Sequence, residues 1–337
     1  MIKLSIVPAG ISQLAAIVLL AIPAAVLAQS ITLPIHQQAM PDGQIRYSTP
    51  ISIAHGPTIE AMIDTGSVGL RVLAAADPGA MSNPASTNPP TESRYGYGSG
   101  VSLNGADIQD DVTVGRTSHI AFQLVKEVGC LPRHPQCPAS RLDPADYRIG
   151  GNGAPRAGYM AILGIGAPHG NGARLENPLR ALGYSNWTVE LPRPGDVEPG
   201  RLTLYASPVT LADITPLTSD AFGRVQGCLT KSGDAQPVCA LMAFDTGAPG
   251  VVIHSPDIDT PSSWPVGTTA TLGFANTALP KIEFVSGPPG AVTYVGWRPP
   301  EGRSIEVIAS GTLVYFYYVF LYDSNGRVVG AGPRSTG

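Results

Sequence analysis

The sequence predicts a mostly β protein built as two related halves, and three observations predict it. The first is a stretch that occurs twice, Ala61-Met62-Ile63-Asp64-Thr65-Gly66-Ser67-Val68-Gly69-Leu70-Arg71-Val72-Leu73 and Leu241-Met242-Ala243-Phe244-Asp245-Thr246-Gly247-Ala248-Pro249-Gly250-Val251-Val252-Ile253. In each copy an apolar run is broken by a tight turn that carries one acid, and apolar positions resume after a second Gly. The second is the succession of short apolar runs, among them Ile51 to Ile53, Val112 to Val114, His119 to Leu124 and Arg201 to Ala206, separated by Gly, Pro, Asn and Asp. The third is the lack of long helical periodicity: only Asn177 to Leu182 and a few comparable stretches suggest helix.

In chain order, Met1-Ile2-Lys3 is followed by no charged residue until Asp42, and Leu14 to Ala28 is apolar apart from Pro23. With Val26-Leu27-Ala28 offering small residues before Gln29, residues 1–28 read as a secretory signal peptide, which places the mature chain outside the cytoplasm, secreted or periplasmic. A retained anchor is the competing reading, since Leu4 to Ala28 is nominally long enough to span a bilayer, but Pro8, Gly10, Ser12 and Gln13 weaken its first half. The remainder is long enough for two domains with real cores, 29–190 and 191–337. Only 14 % of the residues are charged and the net charge is −4, so a nucleic-acid partner is disfavoured and a neutral or apolar substrate suits the chain better.

One acid in each half suits water activation by two facing carboxylates. Like charges a few ångströms apart cannot both ionise, so such a pair keeps one proton and offers a base beside an acid. The glycines of the two turns, Gly66 and Gly247, let backbone N–H groups approach the carboxyls. Ordinary Asp-x-Gly turns at strand ends are the bland alternative. After the first acid, a loop rich in Pro, Ser, Thr and Asn is expected from Asp77 to Ser93. It is followed by Arg94-Tyr95-Gly96-Tyr97-Gly98-Ser99-Gly100, which taken alone reads as a plain Gly-rich turn but also suits a mobile hairpin able to close over a cleft and lay a tyrosine ring on a substrate. Tyr159 to Gly166 is an apolar strand ending in glycines, without the third Gly and following helix of a dinucleotide site.

The cysteines form two close pairs, Cys130 with Cys137 and Cys228 with Cys239, which in an exported chain favours two local disulfides, the second bracing the hairpin that leads into Asp245. Zinc is the rival reading, because His134 lies inside the first loop, but neither pair has Cys-x2-Cys spacing. Asn186-Trp187-Thr188 is formally a glycosylation sequon, yet Trp187 and Val189 read as strand core. No Gly-x-Ser-x-Gly or His-Glu-x-x-His pattern occurs.

Taken together these residues resemble the pepsin-like aspartic proteases over nearly all of the chain after the signal peptide. Tyr97-Gly98-Ser99-Gly100 is similar to that family's Tyr-Gly-Thr-Gly flap, Ile162-Leu163-Gly164 to its Ile-Leu-Gly, and Gly311 to Asp323 through Gly330 and Pro333 to its closing segment. The resemblance implies a bilobal acid-protease fold with the cleft between two β-barrel-like lobes, and a peptide or protein substrate hydrolysed without cofactor or metal. It implies a monomer with no nucleic-acid partner and no membrane association once the signal is removed. It makes Asp64 and Asp245 the catalytic pair, with Thr65 and Thr246 locking the loops together, Ser67 an outer hydrogen bond to Asp64, and Tyr97, Gly98 and Ser99 the flap.

Three departures bear on that expectation. Arg71 stands where a tryptophan often holds the flap tyrosine, so flap anchoring differs or uses the guanidinium as donor; a solvated charge at a strand edge is the bland reading. Ala248 leaves Asp245 without an outer hydroxyl donor. The short stretch between Gln29 and Asp64 leaves no room for a long basic pro-segment, as in the bacterial-type members. Relatives of this fold also serve as binding or inhibitor proteins, and the intact Asp-Thr-Gly of both halves favours the enzyme over that alternative.

Overall fold

Short runs of β-branched and aliphatic residues punctuated by Gly and Pro pair into sheets rather than coil into helices. The computed structural model describes residues 30–76, 91–168, 174–234, 236–299 and 306–334. The expected signal peptide and residues 77–90 of the expected loop lie outside them. The described residues are mostly β, with 48 % of them in strands and 6 % in helix.

In chain order the strands are β1 (Ser30–Ala39), β2 (Ile45–Ile53), β3 (Ile59–Asp64), β4 (Val68–Leu73), β5 (Thr91–Gly96), β6 (Val101–Val114), β7 (Arg116–Cys130), β8 (Ala161–Ile165), β9 (Asn186–Glu190) and β10 (Gly200–Tyr205). They continue as β11 (Thr215–Pro216), β12 (Val225–Lys231), β13 (Val238–Ala243), β14 (Val251–His254), β15 (Ser262–Ser263), β16 (Thr269–Phe274), β17 (Ile282–Val285), β18 (Val295–Arg298), β19 (Val307–Ala309), β20 (Tyr318–Asp323) and β21 (Val328–Pro333). The expected helix is one turn, α1 (Pro178–Ala181), with Pro178 at its start and the Asn177 side chain accepting from the Leu179 N–H. Thr91 to Ser93, expected as loop, are strand: they pair with Asp107, Ala106 and Gly105 of β6.

The strands form one 13-stranded and one 8-stranded sheet. Each copy of the duplicated stretch sits in the same local topology. The incoming strand (β3, β13) and the outgoing strand (β4, β14) are held apart by a third strand (β8, β19), parallel to the first and antiparallel to the second. The outgoing strand then pairs in parallel with β7 or β18, and the incoming one antiparallel with β2 or β12. The run β2-β3-β8-β4-β7 thus has the pairing pattern of β12-β13-β19-β14-β18. Beyond residue 190, β10, β11, β20 and β21 belong to the 13-stranded sheet, β20 pairing with β9 and β10 with β1. A cut at residue 190 therefore passes through that sheet.

One hydrophobic core joins the two repeats, with Ile63, Leu70 and Leu163 beneath the first turn and Met242, Val251 and Ile308 beneath the second. A smaller cluster, including Met62, Leu103, Tyr147, Tyr159 and Ile162, lies under the β5–β6 hairpin. The Asn186 sequon is inside β9, where the Asn186 amide donates to Tyr322 and accepts from the Val209 N–H, so it is spent on the sheet.

Both cysteine pairs are disulfides, Cys130–Cys137 and Cys228–Cys239. Cys228 and Cys239 face each other across β12 and β13, and the latter runs into Phe244 and Asp245. Closing a loop across 11 positions constrains the unfolded chain. Replacing both cysteines by Ala is expected to cost roughly 2–3 kcal/mol, read as a lower midpoint in denaturant melts, while the double Cys130/Cys137 replacement leaves the β12–β13 hairpin braced.

Candidate active site

Asp64 is the last residue of β3 and pairs with Gly164 of β8, which fixes the point where the strand gives way to the turn. The Gly66 N–H donates to Asp64 Oδ1 at 2.8 Å, and Ser67 Oγ donates to Oδ2 at 2.6 Å, so both carboxyl oxygens are held by the turn itself. In the second copy the Gly247 N–H donates to Asp245 Oδ1 at 2.8 Å. Ala248 has no hydroxyl, and its N–H instead meets the Asp245 main-chain carbonyl at 3.3 Å.

The fold brings these two turns face to face. A Cβ built on Gly66 would overlap the Asp245 carboxyl, and one on Gly247 would sit 2.9 Å from Asp64 Oδ1. Only glycine lets the chains approach so closely at either place. The Asp245 carboxyl is held well above the usual carboxylate range, first by burial and next by the Asp64 carboxyl beside it. The Gly247 N–H and the Arg46 guanidinium pull it partly back. Two carboxyls this close favour sharing a proton to higher pH than an isolated aspartate would hold one.

Below the acids the threonines cross over. The Thr65 N–H donates to Thr246 Oγ1 at 3.1 Å and the Thr246 N–H to Thr65 Oγ1 at 3.0 Å. Each hydroxyl then reaches a main-chain carbonyl of the opposite copy, Thr246 Oγ1 to Ile63 at 2.9 Å and Thr65 Oγ1 to Phe244 at 3.2 Å. All four contacts are buried. Thr65 Oγ1 also meets Tyr315 Oη at 2.8 Å, and Tyr315 in turn bonds Tyr322 Oη. Burial pushes both phenols up, so this chain of hydroxyls stays protonated. Neither tyrosine was singled out in the sequence, although a phenol inside the apolar run Leu313 to Leu321 needs a buried partner and so signals one.

The Tyr97 hairpin turns at Tyr97 to Gly100, where the Gly100 N–H bonds the Tyr97 carbonyl and Gly98 and Ser99 form the exposed tip. Gly100, at φ +86°, packs against the Cys130–Cys137 loop, where a Cβ would overlap His134. Two of the Arg71 readings, the solvated charge and the donor to the flap tyrosine, need correction. Arg71 is neither a solvated edge charge nor a donor to Tyr97: it is 3 % exposed, in a strand paired on both sides with Gln123 and Ile162. Its guanidinium donates to the Gly69 and Val68 carbonyls and stacks on Tyr95, 3.5 Å from the ring centroid. Tyr95 stands edge-on to Tyr97, with centroids 4.9 Å apart. The period of two along β5 puts Tyr95 on the same side as Tyr97, a signal the sequence did contain. A cavity of about 950 Å³ lies behind this stack, walled by Arg71, Ser93, Tyr95, Asp107 and Gln123 among others. Neither acid is among its described walls, so the geometry of the carboxyls, not this cavity, locates the chemistry.

No protein-family model matches the chain, and no curated protein matches it. Among the described residues no group of three or more His, Cys, Asp or Glu is placed to hold a metal ion, and the sulfurs of the rival zinc reading are bonded to each other.

The asymmetry at Ala248 has a measurable consequence. A hydroxyl donated to an ionised carboxylate stabilises the charged form and lowers its pKa. Ala248→Ser should therefore lower the pH at which the carboxyl pair titrates, read by NMR of 13C-labelled aspartates. One such bond is worth about 1 kcal/mol, so the shift is expected to be roughly 0.7 of a pH unit. A titration that stays put in a folded variant would show that residue 248 does not face the carboxyl.

Proposed function

We propose that this chain is an exported aspartic endopeptidase with a bilobal, pepsin-like fold, hydrolysing peptide bonds with a water activated between Asp64 and Asp245. The observation that carries the reading is the pair of carboxyls, each held by its own turn glycine and brought together so closely that neither glycine has room for a Cβ. The repeated strand pairing around the two turns supports two lobes of common design. Two disulfides, and no helix among the described residues long and apolar enough to cross a membrane, are compatible with export.

In this mechanism the carboxyl pair holds one proton. The ionised carboxylate takes a proton from the water as its oxygen bonds the scissile carbonyl carbon, and the protonated partner gives its proton to the carbonyl oxygen. Collapse of the tetrahedral species breaks the C–N bond, with a proton delivered to the departing nitrogen, and the pair regains its single-proton state. An extended peptide would lie beneath the Tyr95–Tyr97 hairpin.

Digestion of a diverse peptide library across acid to neutral pH tests the proposal. Cleavage at a restricted set of bonds, suppressed by a statine-type transition-state mimic, is expected. Saturable peptide binding with no cleavage at any pH would replace the enzyme by a binding protein on the same fold.

A further inference from the structure

Asp64 and Asp245 are not held alike. Ser67 fixes the outer oxygen of Asp64, whereas Ala248 offers Asp245 nothing equivalent. What the second turn has instead comes from the other repeat. Arg46, the second residue of β2, is 6 % exposed, and its Nη1 donates to the Gly247 carbonyl at 2.7 Å, across 201 positions of sequence. Gly247 is the residue whose N–H holds Asp245 Oδ1. It is thus gripped at its carbonyl by Arg46 and at its N–H by the acid.

The arginine is itself anchored. Nη2 donates to Gln44 Oε1 at 2.6 Å and, more weakly, to Asn152 Oδ1 at 3.4 Å, while Nε points at the Gly150 carbonyl at 3.4 Å. Asn152 donates in turn to Asp42 Oδ2 at 2.7 Å. A planar guanidinium with donors on three sides suits such a node, and a lysine would fill only part of it.

We propose that Arg46 is the positioning residue of the second turn, holding the Gly247 peptide so that its N–H presents to Asp245 and setting a fixed positive charge beside the carboxyl pair. This rests on the reading of Asp64 and Asp245 as the catalytic pair. The charged and titratable groups around that pair are Arg46, Asp42 and Tyr159 on one side, Arg71, Tyr95 and Tyr97 on the hairpin side, and Tyr315 and Tyr322 beneath. Burial pushes all the phenols among them up, so none ionises in the working range. Among the described residues the cation that bears on Asp245 is Arg46, whereas Arg71 has its two Nη groups on carbonyls of its own strand.

The test compares Arg46→Met, Arg46→Lys and Arg46→Met with Ala248→Ser, each checked for folding by circular dichroism. Arg46→Met should lower kcat roughly ten- to a hundredfold with KM little changed, as expected for a misplaced catalytic group rather than a lost substrate contact. It should also raise both pH limbs by roughly half a unit, because a positive charge that favoured the ionised pair is gone. Arg46→Lys, which keeps the charge and one donor, should leave the limbs in place and recover part of kcat. Adding Ala248→Ser to Arg46→Met should restore kcat further by giving Asp245 a direct donor.

A folded Arg46→Met with unchanged kcat and limbs, or a double variant no better than Arg46→Met, overturns the proposal. Should Arg46→Met not fold, Arg46→Gln replaces it with the same expected outcomes. Titration of 13C-labelled aspartate carboxyls by NMR separates this inference from the proposed activity. If the wild type cleaves no peptide, the endopeptidase reading falls. An upward shift of the pair in Arg46→Met still supports the role of Arg46, and unshifted carboxyls overturn it.

Discussion

Asp64→Asn and Asp245→Asn are each expected to lower peptide cleavage by at least roughly 10³-fold, and the double substitution to be little worse than either single. The reason is that one proton is shared: a lone carboxyl beside an amide cannot be base and acid in the same cycle. Single substitutions that left substantial activity would break the pair assignment and favour the binding-protein alternative. The fold should survive both changes, and Asp245→Asn should strengthen it at neutral pH. Asp245 has its folded pKa raised, so the folded chain binds a proton that the unfolded chain releases near pH 4. Stability is then full below that range and is lost as pH rises toward the folded value. An amide removes this loss. The melting temperature of Asp245→Asn should match the wild type near pH 3.5 and exceed it by a few degrees, about 2–4 °C, at pH 7.

Thr246→Val carries the second large effect. Valine has nearly the shape of threonine but leaves the Thr65 N–H without its acceptor and the Ile63 carbonyl without its donor, both in the buried seam between the repeats. Each orphaned group costs about 1–3 kcal/mol, so a loss of roughly 2–4 kcal/mol in stability is expected from denaturant melts. Because the same bonds hold the two turns in register, kcat should fall as well. Thr65→Val should behave similarly, since Thr65 Oγ1 accepts from the Thr246 N–H and meets both Phe244 and Tyr315. If both valine variants melted like the wild type, the threonines would not be the seam that joins the two turns.

Much of this site could be read from the sequence because its parts are local. The apolar run before each Asp, the glycine two residues on and the hydroxyl of Ser67 all act within one turn, so adjacent letters record them. The disulfides were legible for the same reason, each closing a short loop. What eluded the sequence is what the topology brings from afar. Arg46 reaches Gly247 across 201 positions, and Tyr315 reaches Thr65 across 250, with no local pattern in either case to mark the partner. The sequence left Arg71 open between solvent and the flap because charge alone suggests solvent, whereas its place in β4, paired on both sides, forces it inward and onto Tyr95. The strands after residue 190 that return to the 13-stranded sheet were missed because pairing of β20 with β9 is set by packing, not by propensity.

In the proposed mechanism Asp64 and Asp245 act as one unit around a single proton. Calorimetric titration of the protein with a statine-type peptide, repeated from acid to neutral pH and in buffers of different ionisation enthalpy, tests it most directly. One mimic should bind per chain, tightest where the pair holds one proton, weakening on both sides of that window, and lost in Asp64→Asn and in Asp245→Asn. Binding that ignored pH and survived either substitution, or no binding at all to the folded protein, would contradict it.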